Sequence, residues 1–180
     1  MEDDIEQLLF SAATIQERVT EVAARISRDY RGKNPLAIGV LKGAFIFMSD
    51  LVRHISIPLE MDFIATSSYG QSTRSSGVVR ILKDLDLPVD GRDVLLVEDI
   101  VDSGLTLNYL RDSLARRGAN SVRICSAFDK PTRRTVPIHP DYCCFVAPDR
   151  FLVGYGLDYA ERYRHLPYVG ALRSSVYARS

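Results

Sequence analysis

Val94-Leu95-Leu96-Val97-Glu98-Asp99-Ile100-Val101-Asp102-Ser103-Gly104-Leu105-Thr106-Leu107 decides the fold. Its first four residues form the apolar run expected of a buried strand. Leu107, Leu110 and Leu114 then share one face of a helical pattern. Two acids thus sit at a strand's C-terminal end. A third, Asp102, opens a short loop of small and hydroxylated residues before the helix. In an open parallel sheet that position is where ligands bind. The loop's backbone N–H groups and the helix N-terminus favour a phosphate. Carboxylates beside such a cradle make sense when cations or hydroxyl groups arrive with the ligand.

Outward from this segment, strands and helices alternate. Thr14-x-x-Glu17 fits a capping box, and Ile15, Val19, Val22 and Ile26 follow at helical spacing. Leu36 to Leu41 reads as a buried strand, and Lys42-Gly43 as a turn. Phe45, Met48, Leu51 and Val52 make the stripe of a second helix, and Leu59 to Thr66 a further strand. Ser67 to Gly77 is polar and small, the texture of a mobile loop. A strand resumes at Val78 to Leu82. After the central helix, Gly118 is a C-terminal stop, and Val122 to Phe128 and Tyr142 to Val146 are strands. From Pro148 onward periodicity is weak, so irregular backbone with short strands is expected, fraying over Ser174 to Ser180. This order predicts one α/β domain, residues 1–180, around a mostly parallel sheet.

Composition narrows the function. Lys+Arg and Asp+Glu both number 23, so no basic surplus marks a dedicated nucleic-acid binder. No apolar run approaches the ~20 residues of a membrane helix. Met1-Glu2-Asp3-Asp4 is acidic, whereas a signal peptide starts basic. Cys125, Cys143 and Cys144 show no Cys-x-x-Cys spacing and read as unpaired thiols of a reducing cytoplasm. His54, His139 and His165 lack zinc-ligand spacing. The chain has neither Gly-x4-Gly-Lys-Ser/Thr nor, after its first strand, Gly-x-Gly-x-x-Gly, which sets aside P-loop and dinucleotide folds.

Leu95 to Thr106 resembles the phosphoribosyl-pyrophosphate motif of type I phosphoribosyltransferases: apolar strand, two acids, two apolar residues, Asp, small hydroxyl, Gly, x, Thr. Leu41-Lys42-Gly43, Ser68-Tyr69, Asp129-Lys130-Pro131, Pro148 to Tyr159 and Arg162 to Tyr168 follow the order seen in hypoxanthine-guanine phosphoribosyltransferases, the bacterial branch above all. The resemblance implies the type I fold with a small hood, built from the N-terminal segment and about 148–172, and a mobile loop at about 67–77. It implies transfer of the 5-phosphoribosyl group from phosphoribosyl pyrophosphate to a 6-oxopurine, giving IMP or GMP and pyrophosphate. It also implies a cytoplasmic homodimer or homotetramer that binds neither nucleic acid nor membrane.

The same resemblance assigns residues. Asp102 becomes the proton acceptor at purine N7, although alone it also reads as a cap for the next helix. Ser103, Gly104, Leu105 and Thr106 hold the 5′-phosphate. Glu98 and Asp99 face the ribose hydroxyls, where a Mg²⁺ is held largely by substrate and water, and Asp158 holds a second Mg²⁺ through pyrophosphate or lies near the purine 2-amino group. Successive strand residues point to opposite sides, so Glu98 and Asp99 are not expected to grip one ion together. Lys42, Gly43 and Arg164 meet pyrophosphate, with a Leu41–Lys42 peptide that can be cis, and Ser68 and Tyr69 close over it. Lys130 donates to purine O6, Phe151 stacks on the ring, and the Leu152 backbone meets the N1/C2 edge. Without the resemblance, Lys42 reads as a solvated turn lysine, and Phe151 and Leu152 as core. The rival readings are a nucleic-acid-binding regulator on this fold, a xanthine-preferring transferase, and a non-catalytic structural role, which would leave three clustered carboxylates without a partner.

Overall fold

The computed structural model describes residues 1–68 and 79–178. Strands β1 (Ile5–Phe10), β2 (Leu36–Leu41), β3 (Glu60–Ser68), β4 (Val79–Lys83), β5 (Asp93–Val101), β6 (Ser121–Asp129), β7 (Tyr142–Val146), β8 (Leu152–Val153) and β9 (Val169–Leu172) alternate with helices α1 (Ala12–Asp29), α2 (Ala44–His54), α3 (Leu105–Arg116) and the short α4 (Ser174–Tyr177). Six strands form one sheet in the order β4-β3-β2-β5-β6-β7. It is parallel except for β4, which runs antiparallel to β3.

β5 is buried on both faces, which explains its unbroken apolar run. Leu95 and Val97 pack with Ile15, Val19 and Val22 of α1 and Phe47, Met48 and Leu51 of α2. Val94 and Leu96 turn the other way, onto Leu107, Leu110 and Leu114 of α3. Each fully buried leucine of this kind is worth about 2–5 kcal/mol against alanine. The acids that follow are therefore carried by the most firmly packed strand of the sheet.

Two details of the helices depart from the sequence pattern. α1 starts before the Thr14 capping box, because Ser11 is extended and its hydroxyl accepts the Thr14 N–H at 3.2 Å. In α2 the inward stripe is Ala44, Phe47, Met48 and Leu51, at i, i+3, i+4 and i+7. That register turns Phe45 outward, where it is 54% exposed.

A second, three-stranded sheet has the order β1-β9-β8, all antiparallel. Only Ile5, Leu9 and Phe10 of β1 reach partial burial on hydrophobic clusters, so its residues carry no clear strand pattern. Pairing with β9, at the far end of the chain, is what makes it a strand. Residues expected to fray form α4. β3 extends through Ser68, so the polar segment begins later than its composition suggests. The rest of the loop expected at 67–77, Tyr69 included, lies outside the described residues.

Candidate active site

The site opens where two neighbouring strands part. The β2–β5 ladder ends at Gly39↔Val97, while β2 stays with β3 to Leu41↔Ala65 and β5 stays with β6 to Val101↔Asp129. A cavity of about 280 Å³ fills the crevice. It is lined by Val40 and Leu41 at the end of β2, Gly43 just beyond it, Thr66 of β3, and Glu98 to Gly104 with Thr106 and Leu107. The Leu41–Lys42 peptide is cis.

Glu98 and Asp99 both line this cavity, contrary to the opposite-sides expectation. Each carboxylate turns onto the backbone N–H of the residue that follows it. Glu98 Oε1 accepts the Asp99 N–H at 3.1 Å, and Asp99 Oδ1 accepts the Ile100 N–H at 2.7 Å. Burial, then the charge of Asp99, push the Glu98 carboxyl well above the usual range. Burial also raises Asp99, opposed by its hydrogen bonds to Glu98 and to Ile100 N–H and by the charge of Arg164. Two close, desolvated carboxylates call for a cation or hydroxyl donors beside them. Gly43 lies so close that a Cβ there would fall 1.7 Å from Asp99 Oδ2. Gly156, at φ +98, presses on Gly43 in turn, its would-be Cβ 2.2 Å from the Gly43 carbonyl.

The loop after β5 is held by the segment beyond β6. Gly104 adopts φ +84, and a Cβ there would meet Ile138 at 2.4 Å. Thr135 donates its N–H and its hydroxyl to the Ser103 carbonyl. Ser103, Gly104 and Thr106 line the cavity. Leu105 does not; its N–H, at the first turn of α3, points to Ser103 Oγ at 3.4 Å. The N-cap of α3 is Gly104, with no side-chain cap bond, so Asp102 does not serve as the cap. Asp102 Oδ1 is instead buried without a hydrogen-bond partner. Buried oxygens in that condition normally have a partner, so a ligand donor is called for.

A second cavity, about 380 Å³, adjoins the first and shares Asp99, Ile100 and Asp102 with it. Its other walls include Lys130, Arg133, Asp149, Phe151, Leu152, Asp158 and Tyr177. Lys130 is only 6% exposed and donates to the Arg150 carbonyl at 2.7 Å. Burial pulls its ammonium below the usual lysine range. Its backbone N–H is held by the Val101 carbonyl, so base of pocket and end of β5 are one structure. Leu152 is buried as core, but Phe151 is 37% exposed, against the core reading. Its ring stacks on Tyr177 at 5.0 Å and meets Tyr159 edge-on at 5.5 Å.

The remaining charged residues stand apart from the cavity walls. Lys42 lies between two lining residues but pairs with Glu161 at 3.0 Å. Arg164 donates to the Gly156 carbonyl at 2.8 Å and pairs with Asp158 at 2.9 Å. Glu98, Asp99 and Asp158 are not gathered as one protein cage: among the described residues no group of three or more His, Cys, Asp or Glu is set to hold a metal. Burial pushes the Cys125 thiol up, and that of Cys144 to about 12, which disfavours the reactive thiolate at both. Thr66, Arg133, Asp149 and Tyr177 carry no sequence signal as site residues. Only tertiary packing places them here.

A family model for the phosphoribosyl transferase domain matches residues 9–160. The hypoxanthine-guanine phosphoribosyltransferase of Bacillus subtilis (strain 168) is 55% identical over 177 residues, 98% of either chain. That of Streptococcus mutans is 51% identical over 179 residues, 99% of either chain. A crystal structure of a hypoxanthine phosphoribosyltransferase from Staphylococcus aureus superposes with a TM-score of 0.96 at 43% identity, covering 98% of this chain and 96% of that one. The match runs through the strand-end acids and the glycine-turned loop after β5, and by it this chain belongs to the phosphoribosyl transferase family, in its hypoxanthine-guanine branch.

Proposed function

We propose that Asp102 works between two substrates, phosphoribosyl pyrophosphate in the β5–α3 cavity and a 6-oxopurine in its neighbour. The chain is a purine-salvage transferase that moves the 5-phosphoribosyl group to hypoxanthine or guanine, giving IMP or GMP and pyrophosphate. The observation that carries the assignment of the site is the shared wall: Asp102 lines both cavities and has a buried, unpaired oxygen.

In this reading the 5′-phosphate takes backbone N–H groups of the loop around Ser103 and Gly104, the hydroxyls of Ser103 and Thr106, and the N-terminus of α3. Leu105 contributes through its backbone. Glu98 and Asp99 receive the ribose hydroxyls. Lys130 offers a buried ammonium to purine O6, which adenine's amino group cannot accept from. Phe151 stacks on the ring, and the Leu152 backbone borders its edge. Asp102 Oδ1 takes the N7 proton as N9 attacks C1′ and the C1′–O bond to pyrophosphate breaks, a role of the kind worth about 10²–10⁴-fold in rate. Lys42, Gly43 and Arg164 meet the leaving pyrophosphate.

The donor set suits Mg²⁺ held mainly by substrate: hard carboxylate oxygens from Glu98 and Asp99, desolvated and short of countercharge, with Asp158 beside Arg164. Bound there, the ion would neutralise the leaving pyrophosphate. The small sheet of β1, β8 and β9 serves as the hood over the base. We place the enzyme in the cytoplasm, which suits its three free cysteines. Among the described residues no helix is long and apolar enough to cross a membrane. Self-association as a homodimer or homotetramer is expected, and exposed Phe45, Met61, Leu82 and Val146 offer apolar contact area.

The test is pyrophosphate release from donor plus Mg²⁺ with hypoxanthine, guanine, xanthine or adenine. Turnover is expected with hypoxanthine and guanine, and loss of turnover in excess chelator. Release with adenine alone, or with xanthine far above the other two, would overturn the base assignment.

A further inference from the structure

We propose that Glu161 is an internal competitor of pyrophosphate: its carboxylate occupies the cations Lys42 and Arg164 and so weakens retention of the leaving group. This rests on the reading above, which gives those two cations to pyrophosphate.

The geometry is that of an anion already in place. Glu161 Oε2 lies 3.0 Å from Lys42 Nζ and 3.6 Å from Arg164 Nη2, bridging two cations that come from different parts of the chain. The bridge is not a chance contact of a loose side chain. Ala160 and Glu161 take φ +51 and +62, and the Glu161 N–H is held by Asp158 Oδ2 at 2.9 Å. Asp158 in turn grips Arg164 through its other oxygen, Oδ1. Arg164 also donates to the Gly156 carbonyl, and Gly156 packs on Gly43, next to Lys42. One short turn thereby fixes the arginine, its nearer carboxylate Asp158 and the Glu161 carboxylate that bridges it to Lys42. Lys42 holds the Glu161 carboxyl below the usual range, so it is charged whenever the enzyme works.

The pair is also built to exchange. Lys42 and Glu161 side chains are 69% and 66% exposed, so water competes for both. A multiply charged phosphate outbids one carboxylate for the same cations. On its departure, the tethered carboxylate returns without a diffusional search. An anion that is always present at high local concentration lowers the affinity of every anion that must displace it. The effect falls on pyrophosphate and the donor's pyrophosphoryl end, and not on the purine.

The test uses the full chain with Glu161→Gln, Lys42→Ala and the double variant. Inhibition by pyrophosphate against the donor is measured, with KM for hypoxanthine and a melting curve for each. For Glu161→Gln the pyrophosphate inhibition constant is expected to fall about 3–10-fold, the scale of one or two exposed ion pairs. KM for hypoxanthine and the melting curve should stay as in the parent. In the Lys42→Ala background the gain should shrink, because the cation competed for is gone. An unchanged or raised inhibition constant in Glu161→Gln overturns the proposal while leaving the transferase reading intact. If Lys42→Ala itself leaves pyrophosphate inhibition untouched, the proposal falls together with the pyrophosphate role of Lys42. Loss of purine-dependent turnover in the parent protein is the separate outcome that would sink the whole reading.

Discussion

The two cavities meet at Asp102 but are built in different ways. The first is made of regular elements: strand ends that diverge, a helix N-terminus, and glycines whose would-be side chains collide with Asp99 or Ile138. The second is walled largely by irregular backbone after β7 and by a short C-terminal helix, with a buried Lys130 and a part-exposed Phe151 in its lining. Rigid sheet and loop geometry suits an invariant feature, a sugar phosphate. An aromatic and a lysine on connecting segments suit the part of the substrate that distinguishes one purine from another. The difference implies that damage to either side should be read out in a different kinetic constant.

The largest effect is expected from the residue both cavities share. Asp102→Asn should lower kcat by about 10²–10⁴-fold, with donor affinity retained. Initial rates and a donor-binding curve check this, and unchanged turnover removes the base assignment. Next, Lys130→Ala should raise KM for hypoxanthine by about 10–100-fold, the scale of a lost hydrogen bond to a charged group. Its donor KM should hardly move, and equal losses in both constants would erase the division between the cavities.

How far the sequence reveals this division follows the same line. β5, its acids and α3 are legible because an apolar run, a glycine and a 3.6-residue stripe are local signals. The joint facing of Glu98 and Asp99 is not, because it depends on carboxylates folding back to their own strand's N–H groups beyond the end of the β2 ladder. β1 is invisible locally, since its partner β9 lies at the other end of the chain. Phe45 misleads because the α2 register turns on where Gly43 ends the turn. Tyr177 becomes a site residue only through tertiary contacts. Lys130, Phe151 and Leu152 were legible through family resemblance alone, their local context being ordinary.

Two smaller effects sharpen the contrast. Burial depresses the Lys130 ammonium, so it loses its proton at lower pH than an ordinary lysine. KM for hypoxanthine should therefore rise on the alkaline side before other lysines titrate, and the pH profile of Lys130→Ala should lack this rise. Phe151→Leu should raise the same KM by about 2–10-fold, in line with the ~0.5–1.5 kcal/mol of an aromatic pair. No matching change is expected in donor affinity, measured in the same rate assay.

The central claim is that the loop from Asp102 to Thr106 receives the activated sugar phosphate. Calorimetric titration of phosphoribosyl pyrophosphate with Mg²⁺ into the parent chain, Asp102→Asn and Gly104→Ala tests it directly. Saturable uptake is expected in the first two and its loss in a still-folded Gly104→Ala, whose new Cβ would meet Ile138. No uptake by the parent chain, or undiminished uptake by Gly104→Ala, would contradict the account.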